Sequence, residues 1–128
     1  MNYFYFKKLD VNNYSKELVK YIYLLLKKFP KEEEYALCNQ LRRAVISVPS
    51  NIAEGFGRAS SKEKIHFIDI AYGSLMEVEC QIEISAELGY VSYEEQHAVS
   101  KQVEVIARLL YSLRFSIIKN GDNSQWKP

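Results

Sequence analysis

The sequence contains little of the material from which tight turns and cross-links are made: 5 glycines, 3 prolines and 2 cysteines in 128 residues. So few glycines and prolines argue against an all-β fold, whose many hairpins need turn residues. Cys38 and Cys80 lie far apart and match no metal or redox spacing. We therefore predict buried free thiols in a reducing, cytoplasmic setting.

Long hydrophobic runs are also missing. No apolar stretch reaches the roughly 18 residues that a membrane span requires, and the N-terminus lacks the features of a secretory signal peptide. The formal net charge of +1 argues against a strongly basic nucleic-acid-binding protein, although it leaves room for a local basic patch. With 48% hydrophobic residues, the chain can bury a core of its own.

What the sequence does contain is four segments in which apolar residues recur at helical spacing. They predict helices over about 13–29, 31–56, 61–88 and 93–119 within one domain, residues 1–128, whose tail over 120–128 is flexible. Pro30 suits the first turn of the second helix. Pro49 is expected to kink that helix, because the apolar period continues beyond it.

The helix ends carry their own signals. Ser60 with Glu63, and Ser92 with Glu95, have the Ser-x-x-Glu spacing of a capping box, and Gly89 is a typical C-terminal cap. Short connections bring successive helices side by side in opposite directions. The predicted fold is therefore an all-α, antiparallel up-down-up-down four-helix bundle.

The third helix is apolar on more than one face. Its predicted core positions are Ile65, Ile68, Tyr72, Leu75, Ile82 and Ala86, and further apolar residues lie outside that stripe: Phe67, Ile70, Ala71, Met76, Val78 and Ile84. A helix that is apolar nearly all round is usually buried on all sides. We predict a homo-oligomer that a charge at Ile70 or Val78 would break without loss of helicity. The alternative is an irregular core that takes up these residues.

Charge is unevenly distributed along the chain. Residues 1–28 carry six lysines and two acids, whereas residues 60–89 carry two lysines and six acids. The first and third helices could therefore attract each other, within a subunit or between subunits. The antiparallel layout also collects cations at one end of the bundle, and these are the candidate nucleic-acid-binding residues: Lys7, Lys8, Arg58, Lys62, Lys64, Arg114 and Lys119. In a ring of parallel subunits they would form one basic face for a phosphate backbone. Alternatively, they only keep the surface soluble.

The sequence does not bring candidate catalytic or metal-binding residues together at one place in the predicted bundle. The pairs Glu63/His66 and Glu94/His97 have the Glu-x-x-His spacing of di-iron bundles. On antiparallel helices they would lie roughly 25 Å apart, too far to share one metal pair. We predict no enzymatic activity, no catalytic residues, no metal and no cofactor. Charges near the apolar stripes are expected to pair with one another or to line an interface: Arg43, Glu54, Glu77 and Glu79.

A resemblance to a known family is carried by Gln40–Ala44, Ser47–Arg58, Phe67, Ala71–Glu77 and Glu87–Tyr90. The segment Ser47–Arg58 contains the specific run Pro-Ser-Asn-Ile-Ala-Glu-Gly. Over roughly residues 7–118 the chain resembles the bacterial four-helix bundle proteins encoded by intervening sequences in 23S ribosomal RNA genes. That family is similar to the accessory variability determinant of diversity-generating retroelements, which works with a reverse transcriptase and nucleic acid.

The resemblance implies a homopentameric ring without enzymatic activity. It implies that the shared positions serve the fold and the assembly: Arg42, Arg43, Asn51, Glu54, Gly55, Arg58, Gly73, Ser74 and Glu77. Two functional hypotheses follow. The first is an accessory protein that binds RNA or DNA at a basic end of the ring. The second is a structural or protein-binding scaffold without a nucleic-acid role, with a partner such as a reverse transcriptase. Neither involves a membrane.

Overall fold

The computed structural model describes residues 10–120, and this part of the chain forms four α-helices and no strand. The helices are α1 (Asp10–Leu26), α2 (Leu37–Phe56), α3 (Ser61–Glu87) and α4 (Tyr93–Asn120), and a short 3₁₀ turn, Lys31–Glu33, precedes α2. They pack as a helical bundle in which α1 and α3 each contact both α2 and α4. The predicted flexible tail lies outside the described residues, apart from Asn120, which ends α4.

One apolar core runs along the inside of the bundle. Its fully covered members recur three or four positions apart on every helix, and they include Leu18, Ile22, Leu41, Val45, Val48, Ile52, Ile68, Leu75, Ile82, Val99, Ile106, Leu110 and Ile117. Each such Leu or Ile side chain stabilises the fold by about 1.5–3 kcal/mol relative to an exposed one. No described helix is both long and apolar enough to cross a lipid bilayer.

The first helix begins and ends three residues earlier than the prediction of 13–29. Its buried stripe follows Val11, Ser15, Leu18, Ile22 and Leu25, whereas Tyr14 is 48% exposed. Because Ser15 is polar, the spacing of apolar residues alone did not reveal this buried stripe. The buried Ser15 hydroxyl is accommodated because it donates a 2.6 Å hydrogen bond to the Val11 carbonyl.

The second α-helix begins at Leu37, so the predicted start near residue 31 is wrong. The acidic residues Glu32, Glu33 and Glu34 lie in the 3₁₀ turn and the loop before α2. There Glu33 accepts the Leu37 N–H at 3.3 Å, and Arg42 donates to the carbonyl and the carboxylate of Glu34, both at 2.9 Å. The bond to Glu33 satisfies one of the free N–H groups at the start of α2, and the Arg42 bonds tie the preceding loop to the helix. The helix then continues through Pro49 to Phe56, as the apolar period predicts.

The residues buried along α3 differ in part from the predicted core positions. Tyr72 is 43% exposed, whereas Ala71 and Val78 are fully buried. The buried stripe steps from Ile68 to Ala71, Leu75, Val78 and Ile82, so the core of one chain takes up two residues that suggested a second interface. Three others, Ile70, Met76 and Ile84, remain 36–42% exposed.

The predicted capping signals are confirmed. Ser60 accepts the Glu63 N–H at 3.1 Å, and Ser92 and Glu95 exchange hydrogen bonds of 2.9 and 3.0 Å. Gly89 has a φ of +82°, and the N–H groups of Gly89 and Tyr90 close a Schellman motif on the carbonyls of Ala86 and Ser85. A side chain at position 89 would strain this backbone.

Cysteines and interior charges depart from expectation. Cys38 is buried, and burial raises the pKa of its thiol, but Cys80 is exposed. Arg43, Glu54 and Glu77, predicted near the apolar interior, are exposed in the chain. Glu79 is half-buried and accepts a 2.7 Å hydrogen bond from the Ser100 hydroxyl. Within the described residues, the core is therefore free of unpaired carboxylates from α3.

Candidate functional surfaces

The predicted basic end is only partly available to a ligand. Lys7 and Lys8 lie outside the described residues. Arg58 follows α2, and its guanidinium meets Glu54 at 2.7 Å and Glu63 at 3.8 Å. The same group lies 4.9 Å from the centre of the Phe67 ring, a cation–π contact. Arg58 therefore joins the end of α2 to the start of α3.

Lys64 is buried, with 2% of its surface exposed. Its ammonium donates to the carbonyls of Arg58 and Ala59, which follow α2 and have no helical partner. Next to this connection Gly55 allows α2 and α3 to pack closely, because a Cβ there would lie 3.3 Å from the Phe67 Cβ and 3.4 Å from the Lys64 carbonyl oxygen. Nothing in the sequence indicated that this lysine turns inward to hold the α2–α3 connection.

Arg114 on α4 forms a two-bonded ion pair with Asp69 on α3, with Nε–Oδ1 and Nη2–Oδ2 distances of 2.8 and 3.3 Å. Hydrogen bonding to Asp69 raises the pKa of Arg114 further above its already high value. Lys62 and Lys119 are exposed and form no ion pair with residues 10–120. Within that range, these two lysines are the predicted cations that remain available.

A polar groove lies between α2 and α3. It encloses a 480 Å³ cavity lined by Gln40, Arg43, Ala44, Ser47, Ser74 and Glu77. Its floor is a hydrogen-bond chain in which Asn51 donates to the Ser47 carbonyl and hydroxyl at 2.8 and 2.9 Å, and Ser74 donates to the Ser47 hydroxyl at 2.8 Å. The chain links the two helices and explains why polar residues lie where they meet.

Three of the positions that the family resemblance singled out line this groove, namely Arg43, Ser74 and Glu77, and a fourth, Asn51, bonds to the lining residue Ser47. Ser47 was missed, although it lies one helical turn before Asn51, a spacing that places the two side chains on one face. Gly73 borders the same region, and a Cβ built on it meets nothing within 4 Å. The backbone of α3 is therefore uncovered there within one chain.

A second, apolar groove lies between α3 and α4. Its 510 Å³ cavity is lined by Ile68, Asp69, Tyr72, Ala107, Arg108, Leu110, Tyr111 and Arg114. Tyr72 and Tyr111 are 43% and 61% exposed, and the Asp69–Arg114 ion pair lies in the wall. The sequence did not reveal this groove, because Tyr72 was assigned to the core.

The histidines do not form a metal centre in the part of the chain that is described. His66 is exposed and packs edge-on against Phe67, with ring centroids 5.1 Å apart. Between residues 10 and 120, no group of three or more His, Cys, Asp or Glu side chains could hold a metal ion.

Comparison with known proteins adds two findings. The sequence model of a family described as 23S rRNA-intervening sequence protein matches residues 7–112. The fold is similar to the crystal structure of a protein of unknown function from the S23 ribosomal protein family of Bacteroides thetaiotaomicron VPI-5482. The identity is 24%, the TM-score is 0.73, and the match covers 81% of this chain and 97% of that one. No curated protein matches the chain.

Proposed function

Because this chain belongs to the 23S rRNA-intervening sequence protein family, we propose that it is a non-enzymatic scaffold that works as a ring of identical subunits. Each subunit would be an antiparallel, up-down-up-down four-helix bundle. A ring of five is the number that the sequence resemblance implies. The protein would act by presenting repeated surfaces to a partner, and the partner would be a protein.

The contacts between helices support the antiparallel arrangement. Asp69 of α3 pairs with Arg114 of α4, whereas Glu79, further along α3, bonds to Ser100, an earlier residue of α4. Residue numbers thus rise along α3 as they fall along α4. The same holds between α2 and α3, where Gly55 lies against Phe67 and the earlier Ser47 bonds to the later Ser74.

The observation that carries the assembly is the amount of apolar surface that one chain leaves uncovered. Large apolar side chains are exposed on the outer side of every helix: Tyr14, Tyr23, Leu24, Ile46, Ile70, Tyr72, Met76, Ile84, Val105, Tyr111, Phe115 and Ile118. Single exposed apolar residues are ordinary, but patches repeated on several faces mark interaction sites. The geometry therefore favours the scaffold over the nucleic-acid hypothesis, since Arg58, Lys64 and Arg114 already have partners.

Nucleic-acid binding is the second candidate, and the exposure of Lys62 and Lys119 favours it. Lys62 lies at the start of α3 and Lys119 at the end of α4. In the proposed topology these two positions lie at the same end of the bundle. A ring of parallel subunits would repeat this cationic group around one face, where phosphates could replace bound counterions.

Light scattering on the purified full chain tests the assembly. The expected mass at micromolar concentration is a multiple of the 14.9 kDa subunit. A stable monomer over the whole concentration range would contradict the proposal. The partner class is tested by pull-down from nuclease-treated lysate, where a protein retained after nuclease treatment supports the scaffold.

A gel-shift assay at rising salt tests the second candidate. Binding of RNA or DNA should weaken as salt rises, and it should weaken further in the Lys62→Glu/Lys119→Glu double variant. Lys101→Glu makes the same kind of charge change at an exposed site near the other end of α4 and serves as the control. Binding that ignores salt, or equal losses in all variants, would exclude the cationic end as the site.

A further inference from the structure

The outer side of α1 combines lysines with apolar residues. Lys16 and Lys20 of α1 are exposed, as are Tyr23 at 41%, Leu24 at 59% and Lys27, which follows the last residue of the helix. We call these five residues the α1 face. Lys16 and Lys27 form no ion pair with the described residues. Lys20 meets only Glu17, at 3.3 Å, in a pair so exposed that it contributes little.

The outer side of α3 combines glutamates with apolar residues. Glu77, Glu83 and Glu87 are exposed, and none of them has an ion-pair partner among residues 10–120. Cys80 is exposed between them, and Ile84 is 42% exposed. We call these five residues the α3 face. It has the opposite charge to the α1 face and a similar mixture of apolar surface.

The two faces cannot meet within one chain. The main neighbours of α1 are α2 and α4, and those of α3 are the same two helices. Both α1 and α3 turn their buried stripes to the common core, so their outer faces point away from each other. Two different, complementary surfaces on opposite sides of a subunit produce head-to-tail contacts, which close into rings when the rotation permits.

The charged residues also lie at matching heights along the bundle. On α4, Ser100 bonds to Glu79 of α3, and Glu95 bonds to Lys28, just after the end of α1. Because both bonds end on α4, they relate positions along α1 to positions along α3 on the bundle axis. With a rise of about 1.5 Å per residue, Lys20 lies within roughly one helical turn of the level of Glu79.

From this complementarity we infer that the α1 face of one copy docks on the α3 face of the next copy. Lys20 would meet Glu77, Lys27 would meet Glu83 and Glu87, and apolar side chains would close the contact around them. The inference rests on the proposed assembly and names the two surfaces that build it. Complementary charges of this kind select the partner and fix the register of the contact.

Disulfide cross-linking tests the contact with the native thiol of the α3 face. In a Leu24→Cys variant, oxidation should join the introduced thiol of one copy to Cys80 of the next and give a ladder of covalent multimers that reductant collapses. The two positions cannot bridge within one chain, because a disulfide needs Cα atoms within about 7 Å. The ladder should be absent in Leu24→Cys/Cys80→Ser and in Val105→Cys, which places a thiol on the exposed side of α4.

Two failures can be told apart by light scattering on the same samples. An oligomer of unchanged mass that gives no ladder would overturn the assignment of the faces and leave the assembly intact. A monomeric protein would overturn the proposed assembly itself. A ladder of equal yield in Val105→Cys would also overturn the face assignment, since random collisions would explain it.

Charge reversal tests the pairing without new thiols. Lys20→Glu and Glu77→Lys should each weaken association on the order of tenfold, and the double variant should recover most of that loss. Lys101→Glu is the control for net charge. Wild-type association in both single variants, or no recovery in the double variant, would contradict the pairing, and circular dichroism would establish that each variant is folded.

Discussion

The hydroxyl of Tyr90 donates a hydrogen bond to Oε2 of Glu33 at 2.9 Å and so ties the α3–α4 connection to the α1–α2 connection. The other carboxylate oxygen of Glu33 accepts the Leu37 N–H at the start of α2. The Tyr90 ring also packs on Phe29, with centroids 5.3 Å apart. The two connections at this end of the bundle therefore form one structural unit.

Tyr90→Phe should lower the thermal unfolding midpoint, because Glu33 loses a partner while the ring contact stays. Donation to Glu33 raises the pKa of the Tyr90 hydroxyl above its usual 10.0. The bond therefore stabilises the fold below pH 10 and is lost as the pH rises through the raised pKa. The stability difference between wild type and variant should vanish at high pH. Tyr35→Phe, at a 91% exposed position, should change nothing.

Glu95 should make the stability of the fold depend on pH in the acid range. The hydrogen bond from Lys28, followed by that from the Ser92 N–H, lowers the pKa of this carboxyl below its usual 4.5. Its stabilisation is present above pH 4.5 and is lost as the pH falls through the lowered pKa. Urea unfolding of wild type and Glu95→Gln should differ at pH 7 and converge in acid. A difference that persists after the pH has fallen through the lowered pKa would show that the carboxylate charge is not the cause.

The two helical glycines Gly55 and Gly73 should respond differently to substitution by alanine. Alanine favours a helix interior over glycine by roughly 1 kcal/mol. At Gly73 a Cβ meets nothing within 4 Å, so Gly73→Ala should raise the free energy of unfolding of the subunit by about 0.5–1 kcal/mol. At Gly55 a Cβ would press on Phe67 and the Lys64 carbonyl, so the gain should disappear or reverse. Equal gains at both positions would contradict the close approach.

A charge on α3 should act differently at Val78 and Ile70. Val78 is fully buried in the core of one chain, so Val78→Asp places an unpaired carboxylate there and should unfold the bundle. Ile70 is 37% exposed, so Ile70→Asp should keep full helicity by circular dichroism. The expectation that both variants would remain helical is therefore corrected for Val78. A folded Val78→Asp protein would show that this part of α3 is not core.

Most of the fold could be predicted from periodicity. Leu41, Val45, Val48 and Ile52 step by four, three and four, and a helix is the structure that buries such a set on one side. The start of α2 could not be found this way. The carboxylate of Glu33 replaces a missing helical bond through a side chain, and whether it does so depends on neighbours such as Tyr90, far away in sequence.

The candidate surfaces were less predictable for the same reason. A lysine next to a helix start suggests an exposed cation, yet Lys64 turns inward, since two carbonyls within reach need donors. Arg114 was also predicted as a cation available to a ligand, but it forms an ion pair with Asp69 on another helix. Charge counts locate cations along the chain, whereas their availability depends on partners that only the packed helices bring near.

The enclosed position of Lys64 distinguishes its amine chemically from those at the surface. Acylating reagents should label the exposed lysines of the native protein and spare this one, because its side chain is buried and modification would remove two hydrogen bonds. Labelling at Lys64, followed by peptide mass spectrometry, would then report how often the α2–α3 connection opens in solution. Lys64 is thus an internal reporter of local opening in the bundle.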